Sequence, residues 1–155
     1  MKIKWTELIT WVVGTELAGA VSSLMAGGDF SVFYNALDKP TFAPPNYIFP
    51  VVWSILYALM GISAYLIWQS NSPQRNKAIY LYFAQLFANI IWPPVFFGLH
   101  SLSGAVAVVI VQLLLLIAMM FAFRQIDKRA VYLNIPYLLW TAFAAYLTIG
   151  IFLLN

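Results

Sequence analysis

The chain has no cysteine, a single histidine and few charges, with Asp, Glu, Lys and Arg making up 8% of its 155 residues. Without cysteine there is no disulfide framework, no thiolate nucleophile and no Cys-based zinc or iron–sulfur site, and the redox compartment is unreadable. One histidine, His100, and five acids supply no familiar catalytic constellation and no metal cluster. The formal charge of +3 comes from eight basic residues scattered over short segments. Such scatter makes no groove-lining patch, so nucleic acid is not an expected partner. What is present in excess is apolar: 63% of residues are hydrophobic and mean hydropathy is +0.86. A soluble domain of this size needs far more polar surface.

A membrane-spanning helix needs roughly 20 mostly apolar residues, and five such stretches are present: 8–26, 47–68, 78–98, 102–123 and 131–154. The expected fold class is therefore an all-α membrane protein, one five-helix bundle over residues 1–155 in the lipid bilayer. Lys2 and Lys4 before the first apolar run, with Ala18-Gly19-Ala20 inside it, imitate a signal peptide, but Glu16 in the apolar stretch argues for a retained helix. Five spans put Lys2, Lys4, Arg75, Lys77, Arg124, Lys128 and Arg129 on one side and Lys39 alone on the other, seven of the eight basic residues against one. Because Lys and Arg are held in the cytoplasm, the N-terminus is predicted inside and the C-terminus outside, a pattern that fits a bacterial inner membrane.

The first span carries small residues at every fourth place, Gly14, Ala18, Ser22 and Ala26, a stripe that permits close backbone approach. Ala84 and Ala88 repeat the spacing in the third, which serves packing within the bundle or a homodimer. The longest connection, Gly27 to Asn46, mixes glycine, proline and aromatics, and long loops of this kind are often functional. It reads as a short helical turn around Val32 to Leu37 and then a proline-limited extended stretch, placed to cover the outer mouth of the bundle.

Six tryptophans exceed what interfacial belts require. Trp5, Trp11 and Trp68 lie near span ends as anchors. Trp53, Trp92 and Trp140 also fit a belt, but their company points inward. Gln85, Asn89 and Trp92 fall at i, i+4 and i+7 on one face, whose two amides would be costly against lipid. Trp53 with Tyr57, and Trp140 with Ala144, share faces by the same spacing. Converged, these faces form an aromatic cavity suited to a large, flat, mostly apolar ligand. Pro93-Pro94 must loosen the end of the third span. Glu16, ionisable at mid-depth with no Lys or Arg beside it, is either protonated and bonded to a Ser or Thr of a neighbouring helix, or a proton-coupled or ligand-facing site. His100 falls in a tight turn, where a lone histidine is commonly incidental.

The stretches FYNALDKPTFAPP, PVVWSILYALMGISAYLIW, QLFANIIWPPVFFG and PYLLWTAFAAYL, in this order and at this length, resemble the TspO/MBR family of tryptophan-rich sensory proteins and mitochondrial translocator proteins, the latter once called peripheral benzodiazepine receptors. The resemblance implies a five-helix bundle, often dimeric, whose first outer loop lids a pocket for porphyrins and for isoquinoline- or benzodiazepine-type ligands. By position it implies pocket roles for Trp53, Trp140, Gln85, Asn89 and Ala144, further lid and wall roles for Tyr34 and Tyr57, and a lid shaped by Lys39, Pro40, Pro44 and Pro45. Two departures stand out: Thr148 replaces a frequent Asn, and Glu16 stands where a small or polar residue is expected. The aliphatic–Tyr–basic sterol pattern of animal members is also missing, since no basic residue follows Arg129, so sterol binding is doubtful.

The leading expectation is a porphyrin-binding sensor or carrier, with protoporphyrin IX between Trp53 and Trp140, no required cofactor and no metal, since no axial iron ligand is evident inside. One alternative is a light-dependent porphyrin-degrading enzyme in which Trp53 and Trp140 are the catalytic pair. Another is a proton-coupled transporter using Glu16, although five helices are few for alternating access.

Overall fold

The computed structural model describes residues 3–28 and 30–155; Lys2 and Asp29 lie outside the described residues. Among these every regular element is a helix: α1 Trp5–Met25, α2 Phe30–Ala36, α3 Ile48–Trp68, α4 Arg75–Pro93 running into a π-helical turn Pro94–Gly98, α5 Leu102–Arg124 and α6 Lys128–Leu154. Five of them are long and apolar enough to cross a membrane, and the chain is an integral membrane protein. In lipid every backbone polar group must be satisfied inside the segment, which is why the long apolar runs are helices.

Several helices start earlier than hydropathy alone predicts. α1 begins at Trp5, α4 at Arg75 and α6 at Lys128, because a helix continues through polar residues into the interface; of the three, only α6 has a side-chain cap. At α6 the cap is the Asp127 side chain, which accepts from the Arg129 backbone N–H at 2.9 Å. Ser101 caps α5 in the same way through Gly104.

α1 and α4 both pack on α3, α5 lies between α4 and α6, and α6 closes back on α3. Large apolar side chains such as Leu24, Ile55, Phe87, Leu114 and Leu139 remain on the outside, as a lipid-facing surface requires. The close approach of α1 to α3 does not run along the whole predicted small-residue stripe. Gly14 has open space around it, whereas a Cβ on Gly61 would lie 2.6 Å from the Val12 Cα and one on Gly19 2.2 Å from the Tyr57 ring. Which small residues matter is fixed by where two helices cross, and spacing within one helix does not reveal that. In α4, Ala84 is exposed and Ala88 buried.

Pro93-Pro94 does not stop α4. Proline lacks an N–H, so Asn89 and Ile90 lose the helical donors to their carbonyls. The Ser22 hydroxyl of α1 donates to the Ile90 carbonyl at 2.8 Å. The chain then widens into the π turn, Leu99 N–H reaching the Pro94 carbonyl at 2.9 Å, and His100 ends it in the left-handed region with φ 52°. The His100 ring stacks on Phe33 of α2 at 4.1 Å, so the histidine holds α2 against this turn.

Candidate ligand cavity

Beneath α2 the helices diverge around a cavity of about 330 Å³, a size typical of small-molecule sites. Its wall is mainly aromatic and alanine-like, with Tyr34, Phe49, Trp53, Trp92, Phe96, Trp140 and Ala144 among its residues. The rings hold one another edge-on or stacked. Tyr34 meets Phe49 at 5.6 Å, Phe49 meets Trp140 at 6.0 Å, Trp53 stacks on Tyr57 at 5.5 Å and Trp92 on Phe96 at 4.9 Å. Such contacts fix the rings while leaving their remaining faces to a ligand.

The deepest residue that each long helix contributes is polar or an indole: Glu16, Tyr57, Asn89, Gln112 and Trp140. Tyr57 donates to the Asn89 Oδ1 at 2.6 Å. Asn89 Nδ2 donates to the Tyr137 phenol at 3.2 Å, and Gln112 Nε2 donates to the same oxygen at 3.0 Å. Tyr137 in turn donates to the Gln85 Oε1 at 2.7 Å. Three helices, α4, α5 and α6, are thereby tied by one buried phenol, α3 joins them through Tyr57 and Asn89, and the amides are held in fixed orientations. The indole N–H groups of Trp92 and Trp140 are buried without a partner among the described residues.

Of the residues expected at the site, Tyr34, Trp53, Tyr57, Asn89, Trp92, Trp140 and Ala144 lie on this wall. Gln85 does not. It shares the inward face with Asn89 but sits one turn deeper, fully buried against Tyr137, so its amide serves the helix network below the cavity. The loop residues are not on the wall either. Lys39 Nζ turns back to the carbonyls of Tyr34 at 2.9 Å and Leu37 at 2.8 Å, closing the end of α2. Pro40 packs against Gly150 of α6. The Pro44 carbonyl accepts from the Tyr34 phenol at 3.2 Å and the Pro45 carbonyl from the Ile48 N–H at 3.1 Å, so both shape the approach to α3.

Glu16 lines the cavity, half-buried, and among the described residues no side chain hydrogen-bonds or ion-pairs with it; the expected Ser or Thr partner is not there. Thr15 next to it bonds the Tyr82 phenol at 2.6 Å on the adjacent face instead. Thr148 lies on the wall and returns its hydroxyl to the Ala144 carbonyl at 2.7 Å. Gln112 and Tyr137 are the residues that sequence reasoning missed. Gln112 was visible as the one amide within a long aliphatic run, whereas Tyr137 looked like any interfacial tyrosine. Among the described residues no group of three or more His, Cys, Asp or Glu is placed to hold a metal ion.

Sequence comparison bears on this geometry. A family-level profile described as the TspO/MBR family matches residues 11–154. The tryptophan-rich sensory protein of Cereibacter sphaeroides is 34% identical over 155 residues, covering all of this chain and 95% of its own. A tryptophan-rich protein of Chlorobaculum tepidum is 37% identical over 130 residues, 81% of this chain and 80% of its own. The human translocator protein is 34% identical over 146 residues, 90% of this chain and 84% of its own.

Proposed function

Since this chain belongs to the TspO/MBR family, we propose that its membrane role is to bind a tetrapyrrole in the cavity beneath α2, as a sensor or carrier. The observation that carries this reading is the cavity itself: three indoles and several phenyl rings around a void of ligand size, with amides fixed at its floor. A flat conjugated ring gains stacking and edge contacts there, while a small polar solute or a metal ion gains little. The wall supports metal-free porphyrin over haem. Among the described residues it holds no His, Cys or Met, and its two tyrosine hydroxyls are engaged, Tyr57 with Asn89 and Tyr34 with Pro44. Isoquinoline- and benzodiazepine-type molecules fit the same chemistry. The α2 segment and its Lys39–Pro45 loop act as the lid, and the charge asymmetry orients the N-terminus to the cytoplasm of a bacterial inner membrane. A homodimer would use the exposed Tyr80, Phe83, Ala84 and Phe87 face of α4.

Titration of the purified protein with protoporphyrin IX tests the reading. Saturable change in the porphyrin Soret band is expected, with affinity falling at least about tenfold in a Trp53→Ala, Trp140→Ala variant, given about 1–3 kcal/mol for each stacked aromatic. No saturable change, or full affinity in that variant, overturns it. Illuminating the same complex separates binding from degradation: a new product that a Trp53→Phe, Trp140→Phe variant does not form is the mark of chemistry.

A further inference from the structure

The floor of the cavity contains one group whose hydrogen-bonding and charge are not already used by the protein. Tyr57, Asn89 and Gln112 satisfy one another through Tyr137, and Trp140 offers only a donor. Glu16 is the sole charged side chain on the wall among the described residues, and it has no partner there. It lies one turn from Gly19 on the same face of α1, and Gly19 is the point at which that helix presses on the Tyr57 ring. A carboxylate thus stands beside a phenol that is itself stacked on the Trp53 indole. Acidic oxygen together with the faces of Trp and Tyr is the chemistry that recognises an organic cation, and water exclusion strengthens both attractions.

We propose that Glu16 makes this cavity selective for flat aromatic ligands that carry a protonated nitrogen, the nitrogen seated at the floor and the aromatic body against Trp53 and Trp140. The same charge repels carboxylates from the floor, so an anionic porphyrin binds with its acid groups towards the α2 mouth. The inference rests on the cavity being the ligand site and adds the sign of charge that the site prefers.

The test compares 9-aminoacridine, a flat cation, with acridine, its neutral counterpart at mildly alkaline pH, by fluorescence titration of the protein in maltoside micelles. The cation is expected to bind about tenfold more tightly, the effect of one desolvated charge contact with aromatic support. Glu16→Gln should remove that preference while acridine affinity stays within about twofold, and Glu16→Asp should keep most of it. Equal affinity of the two dyes for the unaltered protein, binding of neither, or a preference that persists in Glu16→Gln overturns the proposal. If Glu16→Gln does not fold, the unaltered protein and Glu16→Asp decide by the same ratio. Protoporphyrin IX titrated in parallel separates the two readings. If it binds while the dyes are not distinguished, charge selectivity alone falls; if it fails while the dye preference follows Glu16, the tetrapyrrole assignment alone falls.

Discussion

The half of the bundle remote from α2 and the half beneath it are made of the same helices but solve opposite problems. In the remote half, small and medium side chains interlock without remainder: Met60, Ala64, Ile67, Ala78, Leu116, Met119, Phe123 and Ala130 are almost wholly buried. Most of its polar groups are spent on neighbouring helices, the Asn134 Oδ1 being left without a partner among the described residues. The Asn134 amide donates to Ser63 at 2.5 Å, Ser63 donates to the Ala130 carbonyl at 2.9 Å, and Tyr65 accepts from the Lys4 backbone N–H at 2.9 Å. At the rim, Glu7 takes a short hydrogen bond from Gln69 and an ion pair from Lys4. Near α2 the packing is by rings meeting edge-on or stacked around a void, and among the described residues indole N–H groups and a carboxylate are left without partners. One half supplies rigidity, and the other is a space held open by it.

Breaking the tight half should have the largest effect. Gly61→Val drives a side chain into the α1 backbone at Val12 and Trp11, which cannot move aside as a side-chain tip can. A loss of about 3 kcal/mol or more is expected, read as a large fall in melting temperature by size-exclusion of heated micellar protein. In Gly19→Ala the atoms met first are those of the Tyr57 ring. This substitution should disturb porphyrin affinity more than stability, and equal stability losses in the two variants would erase the distinction between the halves.

Next is the seam where the halves meet. Tyr137→Phe removes the phenol that accepts from Asn89 and Gln112 and donates to Gln85, stranding three buried amides. About 2 kcal/mol of stability should be lost. Porphyrin affinity should fall as well, because the floor amides are freed to rotate; unchanged binding would show that the floor is held by the helices alone.

The smallest effect belongs to the remote rim. The Asp127 carboxyl is held below its ordinary pKa, chiefly by the hydrogen bond from the Arg129 side chain. A carboxyl whose folded pKa is depressed stabilises the fold above its unfolded value and loses that contribution as pH falls through the folded one. Acidification below about pH 4 should therefore lower the melting temperature slightly in the native chain. The increment should be absent from Asp127→Asn, and Asp127→Ala should in addition lose the helix cap, about 1 kcal/mol at neutral pH.

The contrast also explains what could be read in advance. The helices were legible because a bilayer admits few alternatives for long apolar runs. Trp53, Tyr57, Asn89, Trp92, Trp140 and Ala144 were legible because helical spacing gathers each set on one face. Gln85 shares that face but lies a turn deeper than the wall, and depth depends on Tyr137 from another helix. Within the proposed lid Lys39 does not face the void: its ammonium turns back to three nearby carbonyls at the end of α2. The partner of each glycine was equally invisible, since a crossing point belongs to two helices and a sequence shows them one at a time.

The proline pair in α4 also acts on the angular phase of the helix. Each residue of a regular α-helix advances by about 100°, so accommodating one extra residue in a turn rotates everything after it by about that amount. A wheel drawn at constant period through residues 78–98 therefore keeps Phe96 with Asn89 and Trp92 but carries Phe97 about 140° away from Trp92. The wider turn advances less per residue and holds Phe97 on the cavity wall as well, edge-on to Trp92 and to Phe33 of α2. Two absent amide hydrogens thus decide which way Phe97 points, and replacing both prolines with alanine would turn that ring away from the wall without deleting it.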